Sequence, residues 1–290
     1  MRSLARPIAV LAAAALVAFA PACTRYDQGT PEAVIAAAKE MVRTGHAERL
    51  PDLLYAESKD MRDLLSKFGE VLGTLQDLAR DVQAAFPEEI EAYKRQAEEA
   101  AKRGDATSFL QRATGQALGG RRSRGLNASP EEAEKMRAGF DTLMKDIFAD
   151  PYGWLQQSEG RLTASRDGCP DDTAKLLWDG KPLLGIGIQL KNEGGRWSIV
   201  LPIPPGVMPR SADSWEILGS GLEVIDKMLS DLRQDVRSGQ VRRLEDLAHS
   251  AGEKAFLPAV LIALSYGKLK DAERKAPPPA AAPAPPGAAK

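Results

Sequence analysis

Apolar residues recur at alternating spacings of three and four positions along two long stretches of the chain. The first stretch follows Ser58 and ends at Pro87, and the second runs from Trp215 to Val236 and ends at Gly239. Three apolar positions in every seven are typical of a helix that packs in a bundle. The pattern therefore predicts two long amphipathic helices, of which the first is about 40 Å long.

Shorter helices are predicted around these two. Thr30-Pro31-Glu32 is a helix start, because Thr is a favoured cap and Pro is favoured at the first helical position. That helix should end at Gly45. Further helices are predicted over residues 47–54, 88–102, 106–118, 129–150, 241–250 and 253–276, with a basic loop over 119–128 that contains Arg121, Arg122 and Arg124.

The apolar period changes between residues 161 and 201. Four strands are predicted there, over 161–166, 174–178, 183–191 and 196–201, and Asp179-Gly180 and Gly194-Gly195 are hairpin turn signals. The last three strands should form an antiparallel meander, which Pro202 and the prolines after it end. The fold class is therefore predicted as α+β and predominantly α, with long heptad helices packed on a small antiparallel meander of three to four strands.

One segment is repeated within the chain. Residues 42–54 (VRTGHAERLPDLL) align with residues 236–248 (VRSGQVRRLEDLA), and each copy places Gly45 or Gly239 directly after a helix. Glycine permits the left-handed conformation that ends a helix and turns the chain. The motif predicts two similar helix corners, which arose either by duplication or by convergence on a common turn.

The N-terminus has the three parts of a bacterial export signal. Arg2 and Arg6 precede an apolar run from Ile8 to Ala20, which is too short to span a membrane, and small residues lead to Cys23. Residues 20–23 (Ala-Pro-Ala-Cys) resemble a lipobox, although that pattern usually has Leu where Ala20 stands. The prediction is cleavage after residue 22 and acylation of Cys23, which would tether the protein to the membrane. The alternative is a soluble exported protein, in which Cys23 could pair with Cys169.

The predicted domain organisation follows from these segments. Residues 1–22 are the signal peptide, 23–29 a linker, 30–275 one helical α+β domain, and 276–290 a disordered tail rich in Pro and Ala.

Composition narrows the chemistry. The chain has 39 Lys and Arg against 40 Asp and Glu, so it is not expected to bind nucleic acid through bulk charge. The two histidines, His46 and His249, and the two cysteines leave little material for a metal centre. The sequence contains no Gly-rich phosphate loop, nucleophile elbow or His-Glu-x-x-His motif. No catalytic residue, metal or cofactor is predicted, and Asp167, Asp171 and Asp172 are interpreted as a solvated turn.

The four tryptophans form the candidate pocket. Trp154, Trp178, Trp197 and Trp215 all fall in or beside the predicted sheet. They would either fill a core between sheet and helices or line an aromatic pocket between them.

Two separated parts of the chain resemble the secreted bacterial branch of the nuclear transport factor 2-like cone fold. The residues that carry the resemblance are Thr30-Pro31-Glu32-Ala33, the Gly45 corner, Leu53-Leu54-Tyr55 and the strand at 194–201 (GGRWSIVL). The resemblance implies helices packed on a curved sheet that encloses a pocket. The chain departs from the family by placing helices over residues 58–153 between the two parts. The family's catalytic residues do not map onto this chain, so the resemblance implies no activity.

These observations favour a non-enzymatic protein of the bacterial cell envelope. It would be a lipoprotein facing the periplasm that acts as an interaction or small-ligand-binding module, using its helical seams or the groove between sheet and helices. A protein partner or a second copy of the chain would bind through the heptad helices. The alternative is a cone-fold pocket enzyme, a hydrolase or isomerase, that uses a buried carboxylate such as Asp179 or Glu193.

Overall fold

The computed structural model describes residues 26–102, 144–145, 147–156, 158–183, 187–202, 208–209 and 211–275. Within these ranges the protein is α+β and predominantly helical, with one antiparallel sheet, which confirms the predicted fold class. Several predicted segments lie outside the described residues: the signal peptide, Cys23, the helix at 106–118, the basic loop, most of the helix at 129–150 and the C-terminal tail. None of the helices in the described ranges is long and apolar enough to cross a bilayer.

The first helix, α1 (Pro31–Arg43), begins and ends where local chemistry predicts. The Thr30 hydroxyl accepts a hydrogen bond from the Ala33 amide at 3.1 Å, which caps the first turn.

After the Gly45 corner the chain forms a 3-10 helix, Ala47–Leu53, rather than an α-helix. Pro51 lies within this segment and has no amide hydrogen to donate to an α-helical ladder, which favours the short 3-10 form.

The long helix α2 (Lys59–Ala85) confirms the first heptad prediction. Ser58 caps it by accepting a hydrogen bond from the Met61 amide at 3.1 Å. The next helix, α3 (Pro87–Lys102), starts directly after the Phe86 cap. A one-turn helix, α4 (Gly153–Gln156), leads into the sheet.

The sheet contains five strands: β1 (Leu162–Ser165), β2 (Thr173–Trp178), β3 (Lys181–Pro182), β4 (Ile188–Glu193) and β5 (Arg196–Val200). Its order is β1-β2-β4-β5, with β3 paired to β2, and all these pairings are antiparallel. The meander of the last three predicted strands is confirmed, but the strand predicted at 183–191 begins only at Ile188. Pro182 cannot donate a ladder hydrogen bond, and Leu183 is buried in the core instead of extending a strand.

Two helices follow the sheet, α5 (Ala212–Arg237) and α6 (Leu244–Lys275). The prediction of two separate helices over 241–250 and 253–276 is wrong, because α6 continues through Gly252. Ala251 and Leu247 are fully buried against the neighbouring helices. That packing outweighs the helix propensity lost at one glycine, which is about 1 kcal/mol.

The helices α2 and α5 run parallel to each other. Lys67 pairs with Glu223, Thr74 donates to Asp226, and Asp81 pairs with Arg233, so residue numbers rise together along both helices. Parallel helix dipoles repel each other, and these polar pairs offset that repulsion across the contact.

Two apolar clusters hold the fold together. The first joins α1 and the 3-10 helix to the sheet and includes Met41, Leu53, Leu190 and Trp197. The second joins α2, α3, α5, α6 and residues 147–149, and its fully buried side chains include Leu78, Ile90, Phe148, Leu232 and Leu247.

The two repeat copies form the same helix corner. The His46 amide donates to the Met41 carbonyl at 2.7 Å, and the Gln240 amide donates to the Asp235 carbonyl at 3.0 Å. In each copy the glycine amide bonds to the carbonyl three residues earlier, and the glycine φ is +84° at Gly45 and +72° at Gly239. This is the Schellman arrangement. The copies then diverge, because the first continues as a 3-10 helix and the second as α6.

Candidate functional site

The outer edge of strand β5 is covered by two segments that are distant in sequence. The Trp197 amide donates to the Gln28 carbonyl at 2.8 Å, and the Tyr55 amide donates to the Ile199 carbonyl at 2.8 Å. Leu54 also forms a parallel bridge with Ile199. Residues 26–29, predicted as part of a linker, therefore belong to the folded body.

Two open grooves adjoin this covered edge. Groove A has a volume of about 470 Å³ and lies between the 3-10 helix, the start of α2 and strand β5; its lining includes Glu48, Tyr55, Arg62, Leu65, Glu193 and Ser198. Groove B has a volume of about 710 Å³ and lies between the N-terminal segment and the β4–β5 turn; its lining includes Tyr26, Asp27, Gln28, Arg49, Gly194 and Gly195. Asp52 and Arg196 line both grooves.

Arg196 links the two covering segments at the boundary between the grooves. Its Nε donates to Gln28 Oε1 at 2.7 Å, and its Nη2 donates to the Asp52 carbonyl at 2.9 Å. The Gln28 Nε2 in turn donates to the Trp197 carbonyl at 3.1 Å. These bonds fix the guanidinium in place on the rim.

Arg49 adds a second guanidinium to groove B. Its Nε and Nη2 each lie 3.1 Å from Asp52 Oδ2, and its charge lies 5.3 Å from the centre of the Tyr26 ring. The Arg49 and Asp52 side chains are 43% and 51% exposed, so both are accessible to a ligand.

Tyr55, Lys191 and Glu193 form a polar cluster beside groove A. The Tyr55 hydroxyl donates to Glu193 Oε1 at 2.9 Å, and Lys191 Nζ lies 2.9 Å from the same oxygen and 3.0 Å from the Tyr55 oxygen. The hydrogen bond to Glu193 raises the pKa of Lys191, and the hydrogen bonds from Lys191 and Tyr55 lower the pKa of Glu193. Both groups are therefore held in their charged forms at neutral pH. They can bind an ionic ligand, but neither is tuned to exchange a proton there.

The second carboxylate of the alternative enzyme prediction, Asp179, lies in the β2–β3 turn. It pairs with Arg161 at 2.6 Å, and that hydrogen bond lowers its pKa. The side chains of Asp179 and Glu193 are 50% and 60% exposed. The structure therefore places both carboxylates at the surface.

The structure brings three of the four predicted tryptophans together. Trp197 is 3% exposed within the first apolar cluster, and Trp154 and Trp178 pack against that cluster. Trp215 lies on α5 and does not belong to that cluster of described residues. Arg161 covers the Trp178 ring at 4.8 Å, and Arg166 covers the Trp197 ring at 5.2 Å. Neither groove is lined by a tryptophan among the described residues.

The remaining candidates for metal or thiol chemistry lie apart. The described residues contain no cluster of three or more His, Cys, Asp or Glu side chains that could hold a metal ion. His46 pairs with Glu48, and His249 pairs with Glu253, each at 3.2 Å. Cys169 is a half-buried free thiol, and its proposed partner Cys23 lies outside the described residues.

The sequence pointed to some of the groove residues, but not to the grooves. Glu193 was predicted as a candidate carboxylate, and Tyr55 and Arg196 lie in segments of the family resemblance. Gln28 and Asp52 were not identified, because they are polar residues of ordinary types and the contact between Gln28 and Arg196 spans 168 positions.

Comparison with known proteins gave no match to a family model, a curated protein or a solved structure. The resemblance to the nuclear transport factor 2-like fold stays a prediction.

Proposed function

We propose that this protein is an exported lipoprotein of the bacterial cell envelope whose body binds a small polar ligand. The observation that carries the binding proposal is the pair of adjoining grooves that share Asp52 and Arg196. Cationic, anionic and hydrogen-bonding groups meet on one face, which suits a ligand that carries both charges.

A binding role fits the ionisation of the site better than catalysis does. Lys191 stays protonated and Glu193 stays ionised at neutral pH, because each stabilises the charged form of the other. A general acid or base needs a pKa near the working pH. The cluster at groove A is therefore suited to electrostatic recognition.

The lipid anchor is supported by the signal-like sequence of residues 1–23, which precedes the folded body. The predicted cleavage site before Cys23 precedes Tyr26, the first described residue, so cleavage there leaves each described interaction intact. The signal-like segment and the cysteine would then serve export and anchoring.

The anchor is tested by the mass of the Cys23 peptide from protein made in a bacterial host. The expected result is a thioether-linked diacylglycerol on Cys23 and protein in the membrane fraction. The Cys23→Ser variant should move to the soluble periplasmic fraction, whereas the Cys169→Ser variant should stay with the membrane. An unmodified Cys23 in membrane-free protein would overturn this part of the proposal.

Ligand binding is tested on the purified Cys23→Ser protein. Thermal unfolding would be measured with a panel of zwitterionic compounds, including amino acids, dipeptides and glycerophosphoethanolamine. A binding compound should raise the unfolding midpoint, because it binds the native state alone. Arg196→Gln should abolish the increase, and Lys227→Gln, at an exposed pair on α5, should preserve it. A panel without any shift would contradict small-ligand binding.

Association through the long helices is a second candidate. Phe68 on α2 is 36% exposed, and Val224 and Ile225 on α5 are 40% and 39% exposed. Large apolar side chains at the surface of two parallel helices favour contact with another apolar surface. Sedimentation of the wild type against a Phe68→Ser, Ile225→Ser variant tests this candidate, which predicts a dimer only for the wild type.

A further inference from the structure

The position of Tyr26 determines which face of the body lies nearest the anchor. Its hydroxyl lies 3.4 Å from Thr44 Oγ1, its ring lies under Arg49, and it packs against the first apolar cluster. Tyr26 and the three residues after it line groove B. The N-terminal segment is thus fixed to the body at Tyr26.

The distance from the anchor to groove B is short. Tyr26 is three residues after Cys23, and three extended residues span at most about 11 Å. The acyl chains on Cys23 would enter the hydrocarbon region, which leaves the cysteine at the level of the headgroups. Tyr26, and with it groove B, would then lie at the membrane surface.

The chemistry of groove B matches a phospholipid headgroup. Arg49 and Arg196 place two guanidinium charges on its lining. Their Nε and Nη2 atoms already donate to Asp52 and Gln28, so a phosphate would accept from Arg196 Nη1 and be attracted by the charge of Arg49. Asp27 and Asp52 place carboxylates on the same lining. Asp52 Oδ2 pairs with Arg49 and Asp27 Oδ1 accepts from the Gly29 amide, so the second oxygen of each carboxylate would receive an ammonium group. Phosphatidylethanolamine carries both a phosphate and an ammonium. The groove volume of about 710 Å³ is within the usual range for a small-molecule site.

We infer that groove B faces the membrane that holds the anchor and binds the headgroup of a phospholipid through Arg49 and Arg196. This inference rests on the proposed lipid anchor. It assigns the ligand class of groove B and gives the body a fixed orientation on the bilayer.

The test supplies the tether chemically, so it does not depend on acylation in the cell. Mature protein with Cys169→Ser is coupled through Cys23 to a maleimide lipid in vesicles of phosphatidylethanolamine and phosphatidylglycerol. An identical sample uses digalactosyl diacylglycerol vesicles, whose headgroups contain no phosphate. The rate at which an arginine-specific dicarbonyl reagent modifies each arginine is then measured by mass spectrometry.

The expected result is a several-fold slower modification of Arg196 on phospholipid vesicles than on galactolipid vesicles. Arg242, an exposed residue in the corner after α5, should react equally on both. Arg49→Gln should reduce the protection of Arg196, and it should fold normally because Arg49 is at the surface.

An equal rate of Arg196 modification on both vesicles, whether fast or slow, would overturn phosphate recognition by groove B. That result does not bear on acylation, because the mass of the Cys23 peptide decides that question separately.

Discussion

The backbone of Gly69 on α2 lies directly against the carbonyl oxygen of Glu48 in the 3-10 helix. A methyl group at position 69 would lie 2.4 Å from that oxygen, and the obstacle is backbone that cannot swing away as a side chain can. This contact brings the 3-10 helix against α2, and both elements contribute residues to the lining of groove A. We expect Gly69→Ala to lower the free energy of unfolding by about 1–3 kcal/mol, because the two backbones must separate. Urea unfolding followed by circular dichroism measures the change.

The matched control is Gly267→Ala in α6. A methyl group there meets no atom within 4 Å, and alanine is the better helix former. This variant should be as stable as the wild type or more stable by up to about 1 kcal/mol. If both alanine variants behave alike, the close approach at Gly69 does not limit stability.

The buried side chain of Gln76 joins α2 to the first repeat corner. Its Oε1 accepts from the Ala47 amide at 2.9 Å, and its Nε2 donates to the Val42 carbonyl at 2.8 Å. Gln76→Ala should lower the free energy of unfolding by about 2–3 kcal/mol, because it leaves a buried amide unpaired and opens a cavity. Gln83→Ala, on the exposed face of the same helix, should change it by less than about 0.5 kcal/mol. A loss at position 76 no larger than at position 83 would contradict the role of Gln76.

The two corners permit a comparison of glycine positions with equal backbone geometry. Gly239→Ala should cost about 1 kcal/mol, because φ is +72° and a side chain strains that conformation. Gly45→Ala should cost slightly more, since its added methyl would also lie 2.9 Å from Arg80 Nη2, the end of a flexible side chain that must shift. Asn, which tolerates positive φ, should partly restore stability at position 239. Thermal unfolding of the three variants gives the order, and equal costs at 45 and 239 would exclude a contribution from Arg80.

Helix boundaries were predictable because their causes are local. Thr30 and Ser58 each cap a helix through a bond to an amide three residues on, and Gly45 and Gly239 end helices through their own backbone freedom. The continuity of α6 through Gly252 was not predictable, because it depends on burial against helices distant in sequence.

The grooves depend on long-range contacts for the same reason. The sequence directed attention to the tryptophans, and three of them do lie at the sheet, with Trp197 in the apolar core and Trp154 and Trp178 packed against it. The open polar surface beside the sheet is formed by the segments that hydrogen-bond to the outer edge of β5, in which Gln28 meets Arg196. Strand pairing on that edge was not encoded in any local pattern.

Asp81 should make stability fall in acid. It accepts hydrogen bonds from Arg233 Nε at 2.6 Å and from Arg237 Nη2 at 3.2 Å. Burial raises the pKa of Asp81, but the bonds from the two arginines outweigh burial and hold the pKa below its usual 3.8. A lowered folded-state pKa gives stability that is present above the unfolded pKa and lost as pH falls through the folded value.

Asp81→Asn should therefore cost about 1–2 kcal/mol at neutral pH and much less at a pH well below 3.8. Asp231→Asn removes an exposed pair with Lys227 and should cost less than about 0.5 kcal/mol at neutral pH. The measurement is urea unfolding of the three proteins across the acidic range. A cost for Asp81→Asn that does not change with pH would contradict the ionic contribution.

Tyr152 should make stability fall in alkali, because its pKa is raised in the folded state. Its hydroxyl donates to the Leu72 carbonyl at 2.8 Å, and burial, with the nearby negative charge of Glu48, raises its pKa above the usual 10.0. The unfolded chain ionises this phenol near pH 10.0 while the folded chain keeps it neutral, so stability falls as pH rises above that value. Tyr152→Phe should cost about 1 kcal/mol at neutral pH, and the difference from wild type should shrink in alkali.

Absorbance titration of the phenolates provides the decisive measurement. The phenol of Tyr152 should ionise only when the protein unfolds, and that late step should be absent from Tyr152→Phe. A late step that persists in the variant would assign the buried phenol to another tyrosine.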